Sequence, residues 1–91
     1  MNSLTTEQFW KCYSALPADI KKQAKTAYAL FIDNPYHPSL HFKRVHSSRP
    51  IFSVRITLRY RAIGVLQDNE IVWFWIGSHA QYEKILQQMR K

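Results

Sequence analysis

His79 is the side chain whose type and position point most directly to chemistry. It follows Gly77-Ser78, and Ser78 with Gln81 three residues later matches a helix capping box. His79 is then the first residue of a helix. The positive end of a helix favours a neutral imidazole over imidazolium, and nearby arginines act the same way. A neutral ring can accept a proton, as a general base must. The same position also suits an ordinary surface histidine. Arg55, Arg59 and Arg61 form a second group. Arg55 and Arg59 have the spacing to share the open face of one strand, and Arg61 projects nearby from the next strand across a tight turn. Guanidinium groups bind phosphate oxygens with paired hydrogen bonds. Three together suit a phosphodiester backbone or a phosphorane. They also suit a solvated sheet face that meets acidic residues of a partner.

Lys43 and Arg44, flanked by His41 and His46, lengthen this basic strip. Their expected role is to hold a nucleic-acid backbone, which gives affinity without reading sequence. Tyr60 and Tyr82 are candidates for stacking on bases, since aromatics among cations serve that purpose. Tyr82 lies about one turn after His79 and also opens an apolar stripe, so core packing is an equal reading of it. His37, His41 and His46 do not form a metal pattern: Pro38 interrupts them and Cys12 is distant in sequence. Cys12 reads as a small hydrophobe. No glycine-rich phosphate loop or dinucleotide motif is present, and no cofactor is expected.

These residues need elements to position them. Glu7 to Ala15 carries Phe9, Trp10 and Tyr13 and reads as a short amphipathic helix. Leu16-Pro17 interrupts it, and proline suits the first turn of a second helix. Ile20, Ala24, Ala27, Leu30 and Phe31 continue at helical spacing up to Asn34-Pro35, where the helix must end. The pair reads as a helical hairpin, with little room for a strand before it. NPYHPSL is a loop, and His41 to Val45 a candidate first strand. Phe52, Val54, Ile56 and Leu58 alternate with polar residues along one strand, and Tyr60 to Leu66 forms the next. Asp68-Asn69 makes a two-residue turn into IVWFWI, a strand covered on both sides. Tyr82, Ile85, Leu86 and Met89 give a last helix that packs back on the core. The expected class is α+β: an N-terminal helical hairpin on a small antiparallel sheet, with a C-terminal helix.

A chain of 91 residues makes one domain. Lys and Arg number 13 against 6 Asp and Glu, a net charge of +7. No acidic residue occurs from Asn34 to Gln67, a stretch that holds Lys43, Arg44, Arg49, Arg55, Arg59 and Arg61. A field of one sign attracts polyanions, RNA above all, although a basic balance also serves solubility. A single cysteine cannot form an internal disulfide. The polar start and the lack of a long apolar run argue against a signal region or a membrane span, so the cytoplasm is the expected location.

Leu16-Pro17 before an Ala-rich helix, NPYHPSLHFKRV, FSVRITLRYRAIGV and IVWFWIGSHAQYEKIL together resemble the RelE/ParE superfamily of bacterial toxins. The resemblance runs from about Phe9 to Leu86 and is closest to small toxins of the RelE/HigB type. It implies a single toxin domain over residues 1–91. It also implies a ribosome-dependent endoribonuclease that enters the ribosomal A site, cuts translated mRNA and so inhibits translation. The chemistry implied is attack of a ribose 2′-OH on the adjacent phosphorus, leaving a cyclic phosphate and a 5′-hydroxyl without a metal. Carried over by motif, His79 is base or acid, Arg61 and Arg55 stabilise the phosphorane, and Tyr82 stacks or positions. The chain departs from some relatives in having Ser53 where they carry a lysine, and in lacking a close histidine pair with a carboxylate. ParE-type members poison DNA gyrase without catalysis, and that reading stays open, as does a non-toxic relative that binds nucleic acid or antitoxin. Each implies a cognate antitoxin protein docked on the basic strip, with operator DNA bound only through that antitoxin.

Overall fold

A computed structural model describes residues Met1–Arg90. The chain runs through β1 (Asn2–Thr5), α1 (Glu7–Ser14), α2 (Ala18–Asp33), β2 (Lys43–Arg44), β3 (Ile51–Thr57), β4 (Tyr60–Gln67), β5 (Glu70–Ser78) and α3 (His79–Met89). Thr6 caps α1 by accepting a hydrogen bond from the Phe9 amide at 3.1 Å. Ile20, Ala24, Ala27 and Phe31 form the buried stripe of α2. Pro35 forces Asn34 out of helical geometry, and α2 stops there. The following loop is not wholly irregular. Pro38–Leu40 makes one 3₁₀ turn, and Leu40 is buried beneath it.

The sheet has the order β1-β5-β4-β3-β2. Strands β2 to β5 are antiparallel, but β1 runs parallel to β5, with Asn2 opposite Glu70 and Thr5 opposite Trp73. The sheet is therefore mixed, and there is a strand before the helices where the sequence left little room for one. The reason is that β1 is held by its backbone, not by an apolar face. Asn2 N–H donates to Asn69 O at 2.9 Å, Thr6 N–H donates to Trp73 O at 3.0 Å, and the Trp73 indole N–H donates to Ser3 Oγ at 3.0 Å. Polar side chains at an exposed edge leave no periodic signal.

The two faces of the sheet hold separate cores. The α1–α2 hairpin covers Val54, Ala62, Ile71, Trp73 and Ile76, while α3 lays Tyr82 and Leu86 on Ile51 and Ile63. A register shift in β5 lets the IVWFWI run serve both. Ile63 pairs with Trp75 but Gly64 pairs with Trp73, so Phe74 is an extra residue. Without this bulge both tryptophans would face one side. With it, Trp73 joins the hairpin core and Trp75 packs on the α3 side.

Candidate active site

The described residues form a concavity on each side of the sheet. A groove of about 750 Å³ beside the hairpin is lined mainly by apolar side chains, including Trp10, Tyr28 and Phe31. A cleft of about 730 Å³ beside α3 holds the polar chemistry. Strand β2 supplies Lys43 and Arg44 to it, and the loop after β2 supplies His46. Strand β4 supplies Arg61, and α3 supplies His79, Tyr82, Glu83 and Arg90.

Three local features place His79 at the mouth of this cleft. Ser78 caps α3 by accepting from the Gln81 amide, and the Gln81 side chain accepts from Ser78 N–H, both at 3.3 Å. The His79 N–H, first of the helix, donates to Arg59 O at 2.7 Å, which fastens α3 to the β3–β4 turn. Gly77 leaves room beside the cap. A Cβ there would lie 2.5 Å from the Trp75 ring and 2.8 Å from Gln81 Oε1. The His79 ring then stands 5.6 Å from that of Tyr82, and its Nε2 is 3.5 Å from Glu83 Oε1. From the sequence, only the helix terminus and the arginines bear on His79. The carboxylate adds to them.

Arg61 lies directly across the ladder from Arg55 on one side and Gly77 on the other. Its Nη1 donates to Thr57 O at 2.6 Å and Tyr60 O at 3.0 Å, which ties the head group to the turn. Nη2 and Nε make no hydrogen bond among the described residues. Burial and the neighbouring Arg55 both pull the Arg61 pKa below its ordinary value, with Tyr82 and Glu83 pulling the other way. An arginine stays protonated regardless. Like charges directly opposite in a sheet are destabilising by roughly 0.2–1 kcal/mol. An anion between them would remove that penalty.

The structure brings His79, Arg61, Tyr82, Lys43 and Arg44 into one cleft. Arg55 stands behind Arg61 in the ladder and does not line the cleft. Three expectations need correction. Arg59 does not share a strand face with Arg55, because β3 ends at Thr57 and Arg59 lies exposed in the turn. Tyr60 packs against the hairpin core, on the opposite face from its neighbour Arg61, so it cannot stack among these cations. Tyr82 is only 4% exposed, and its hydroxyl and that of Ser53 hydrogen-bond each other at 3.1 Å in the interior. A ring so enclosed is not presented for stacking on a base.

Glu83 and Arg90 are members of the cleft that sequence reasoning missed, and His46, read there only as a flank of the basic strip, is another. Two histidines and a carboxylate do line one cleft. Glu83 was within reach, since it follows His79 by four residues on a helix. His46 was not, because its setting depends on two distant segments. Its Nε2 donates to Met89 O at 3.1 Å, and its Nδ1 accepts from the Ser48 and Arg49 amides at 3.1 and 3.0 Å. Both ring nitrogens are committed, so His46 is a brace between the β2–β3 loop and the end of α3. Arg44 Nε donates to His46 O and Arg49 O in the same loop. No group of three His, Cys, Asp or Glu side chains among the described residues is placed to hold a metal ion. No helix is long and apolar enough to cross a membrane among those residues.

A mixed sheet lies between a helical hairpin and a single C-terminal helix, with a basic cleft at the start of that helix. The chain belongs to the ParE-like toxin domain family, whose family model matches residues 18–84. It is a toxin of the RelE/ParE superfamily. The fold is similar to that of the RelB–RelE antitoxin–toxin complex from Methanococcus jannaschii, with a TM-score of 0.73 at 14% identity over 90% of this chain and 96% of that one. It is similar to YafQ from E. coli, with a TM-score of 0.71 at 19% identity over 89% and 96%. It is also similar to the YoeB/ParE toxin from Agrobacterium tumefaciens, with a TM-score of 0.68 at 14% identity over 87% and 99%. No curated protein matches the chain by sequence.

Proposed function

We propose that this toxin is a ribosome-dependent endoribonuclease that cleaves translated mRNA and is held inactive by a cognate antitoxin. The observation that carries the reading is Arg61, backed across the ladder by Arg55, lining one basic cleft with the accessible ring of His79. Cleavage requires a ribose 2′-OH to attack the adjacent phosphorus. The P–O5′ bond breaks, a 2′,3′-cyclic phosphate forms, and the 5′-oxygen leaves as a hydroxyl once it gains a proton. His79 takes the role of base or acid in these transfers. Arg61, with Arg55 behind it, stabilises the charge that builds on the phosphorane oxygens. Lys43, Arg44 and Arg90 hold the flanking phosphates.

The antitoxin is proposed from the RelB–RelE complexes among the similar structures. An acidic or amphipathic segment laid over the basic strip would block RNA by occupying the same cations. The operator DNA would be bound by the antitoxin, not by this chain. The cytoplasm, where ribosomes and mRNA are, is the proposed location.

The family model keeps a second reading in play, a ParE-like gyrase poison without catalysis. Induced expression in a bacterial host separates the two. Wild type is compared with His79→Ala and Arg61→Lys, following growth and mapping 5′ ends on a translated reporter. Arrest with in-frame cuts, both lost in folded variants, is the expected result. Arrest without cuts and indifferent to His79→Ala moves gyrase to the front. Harmless expression of a folded wild type leaves a binding protein.

A further inference from the structure

We propose that Glu83 is the positioning residue of this cleft, holding the His79 ring by Nε2 so that Nδ1 faces the RNA. The inference rests on the ribonuclease reading above. Glu83 Oε1 is 3.5 Å from His79 Nε2, and the two side chains are 53% and 46% exposed. A substrate can therefore reach them both. The i,i+4 spacing on α3 fixes their approach. Among the described residues neither ring nitrogen of His79 has a hydrogen-bond partner, and Glu83 Oε1 is the carboxylate oxygen within ion-pair reach of Nε2. A catalytic contact that is long in the unliganded protein shortens as substrate closes the site.

Charge gives the second argument. Among the described residues Glu83 is the only carboxylate lining the cleft, against Lys43, Arg44, Arg61 and Arg90. A carboxylate there repels the phosphates the cleft is built to hold, so it lowers affinity for RNA. A residue that opposes binding at this point is explained by a role in the step after binding. The base or acid needs an orienting group, and Glu83 is the group beside it.

The test is Glu83→Ala and Glu83→Gln, with cleavage of a reporter mRNA followed in a cell-free translation system and binding measured on a single-stranded RNA oligonucleotide. In Glu83→Ala, kcat is expected to fall about tenfold or more, while the oligonucleotide binds about two- to fivefold more tightly at low salt. Glu83→Gln tightens binding as much but keeps more of kcat, because its amide oxygen still accepts from Nε2–H. A structural defect would not move the two quantities in opposite directions. Wild-type kcat in folded Glu83→Ala overturns the proposal. If wild type makes no cuts, the ribonuclease reading fails separately, and the His79 ring itself decides. A ring Nε2–H proton resonance seen in wild type and lost in Glu83→Ala upholds the positioning contact, whereas the same spectrum in both overturns it.

Discussion

Tyr82 lies under His79, and its hydroxyl meets that of Ser53 across 29 residues of sequence. Both groups are buried, and no buried side-chain polar atom is left without a partner among the described residues. Removing one hydroxyl strands the other, at about 1–3 kcal/mol. Ser53→Ala and Tyr82→Phe are each expected to lower stability by that amount. The double variant should recover most of the loss, because neither polar group is then left unpaired. Urea unfolding of the three variants checks this. The double variant also tests the role of Tyr82, since it keeps the ring while deleting the hydroxyl. Cleavage close to wild type is the outcome for a residue that supports His79 by packing, and a large loss would make the hydroxyl part of the reaction. In sequence, Ser53 reads only as the polar half of an alternating strand. Its partner lies on another element, so nothing local marks it as interior.

Gly64 and Gly77 are interior positions of β4 and β5, where glycine is otherwise unfavourable. Each makes room for a tryptophan. A Cβ at Gly64 would meet the Trp73 ring at 2.8 Å, and one at Gly77 would meet the Trp75 ring at 2.5 Å and the Gln81 amide at 2.8 Å. Either alanine variant forces an indole to shift, costing about 1–3 kcal/mol in a packed core. Their effects on activity should diverge. Gly77→Ala disturbs the Gln81 half of the cap and so moves His79, whereas Gly64→Ala acts beside the hairpin core. Thermal melts are expected to show both variants destabilised, with cleavage per folded molecule reduced only in Gly77→Ala. Equal cleavage in both would mean that the capping geometry does not matter to the site. Elements with a local cause were readable in advance: α2 ends ahead of Pro35, the Asp68-Asn69 turn joins β4 to β5, and Ser78 and Gln81 cap α3. Asp68 adopts a positive φ of 54° in that turn, which aspartate tolerates. The parallel β1, the Phe74 bulge and the inward face of Tyr60 were not readable, because each is set by pairing with a distant strand.

The 13 Lys and Arg include two groups on different surfaces that make different predictions. Lys21, Lys22 and Lys25 lie on α2, on the hairpin side of the sheet. Lys43, Arg44, Arg61 and Arg90 line the cleft on the other side. Polyanion attraction by the whole molecule would draw on both, but a bound strand releases counterions only where phosphates are contacted. If single-stranded RNA lies in the cleft against these four cations, log affinity should fall with log salt at a slope of about −3. Lys43→Ala combined with Arg44→Ala should flatten the slope by about 1.4, since each lost phosphate contact removes roughly 0.7. Neutralising Lys21, Lys22 and Lys25 together should leave the slope nearly unchanged, because the field at the cleft is screened beyond about 10 Å at 0.1 M salt. Fluorescence anisotropy of a labelled oligonucleotide between 50 and roughly 300 mM salt resolves a change of this size. If the α2 lysines flatten the slope and the β2 pair does not, RNA lies along the hairpin. The basic cleft beside His79 would then be a docking surface for the antitoxin alone.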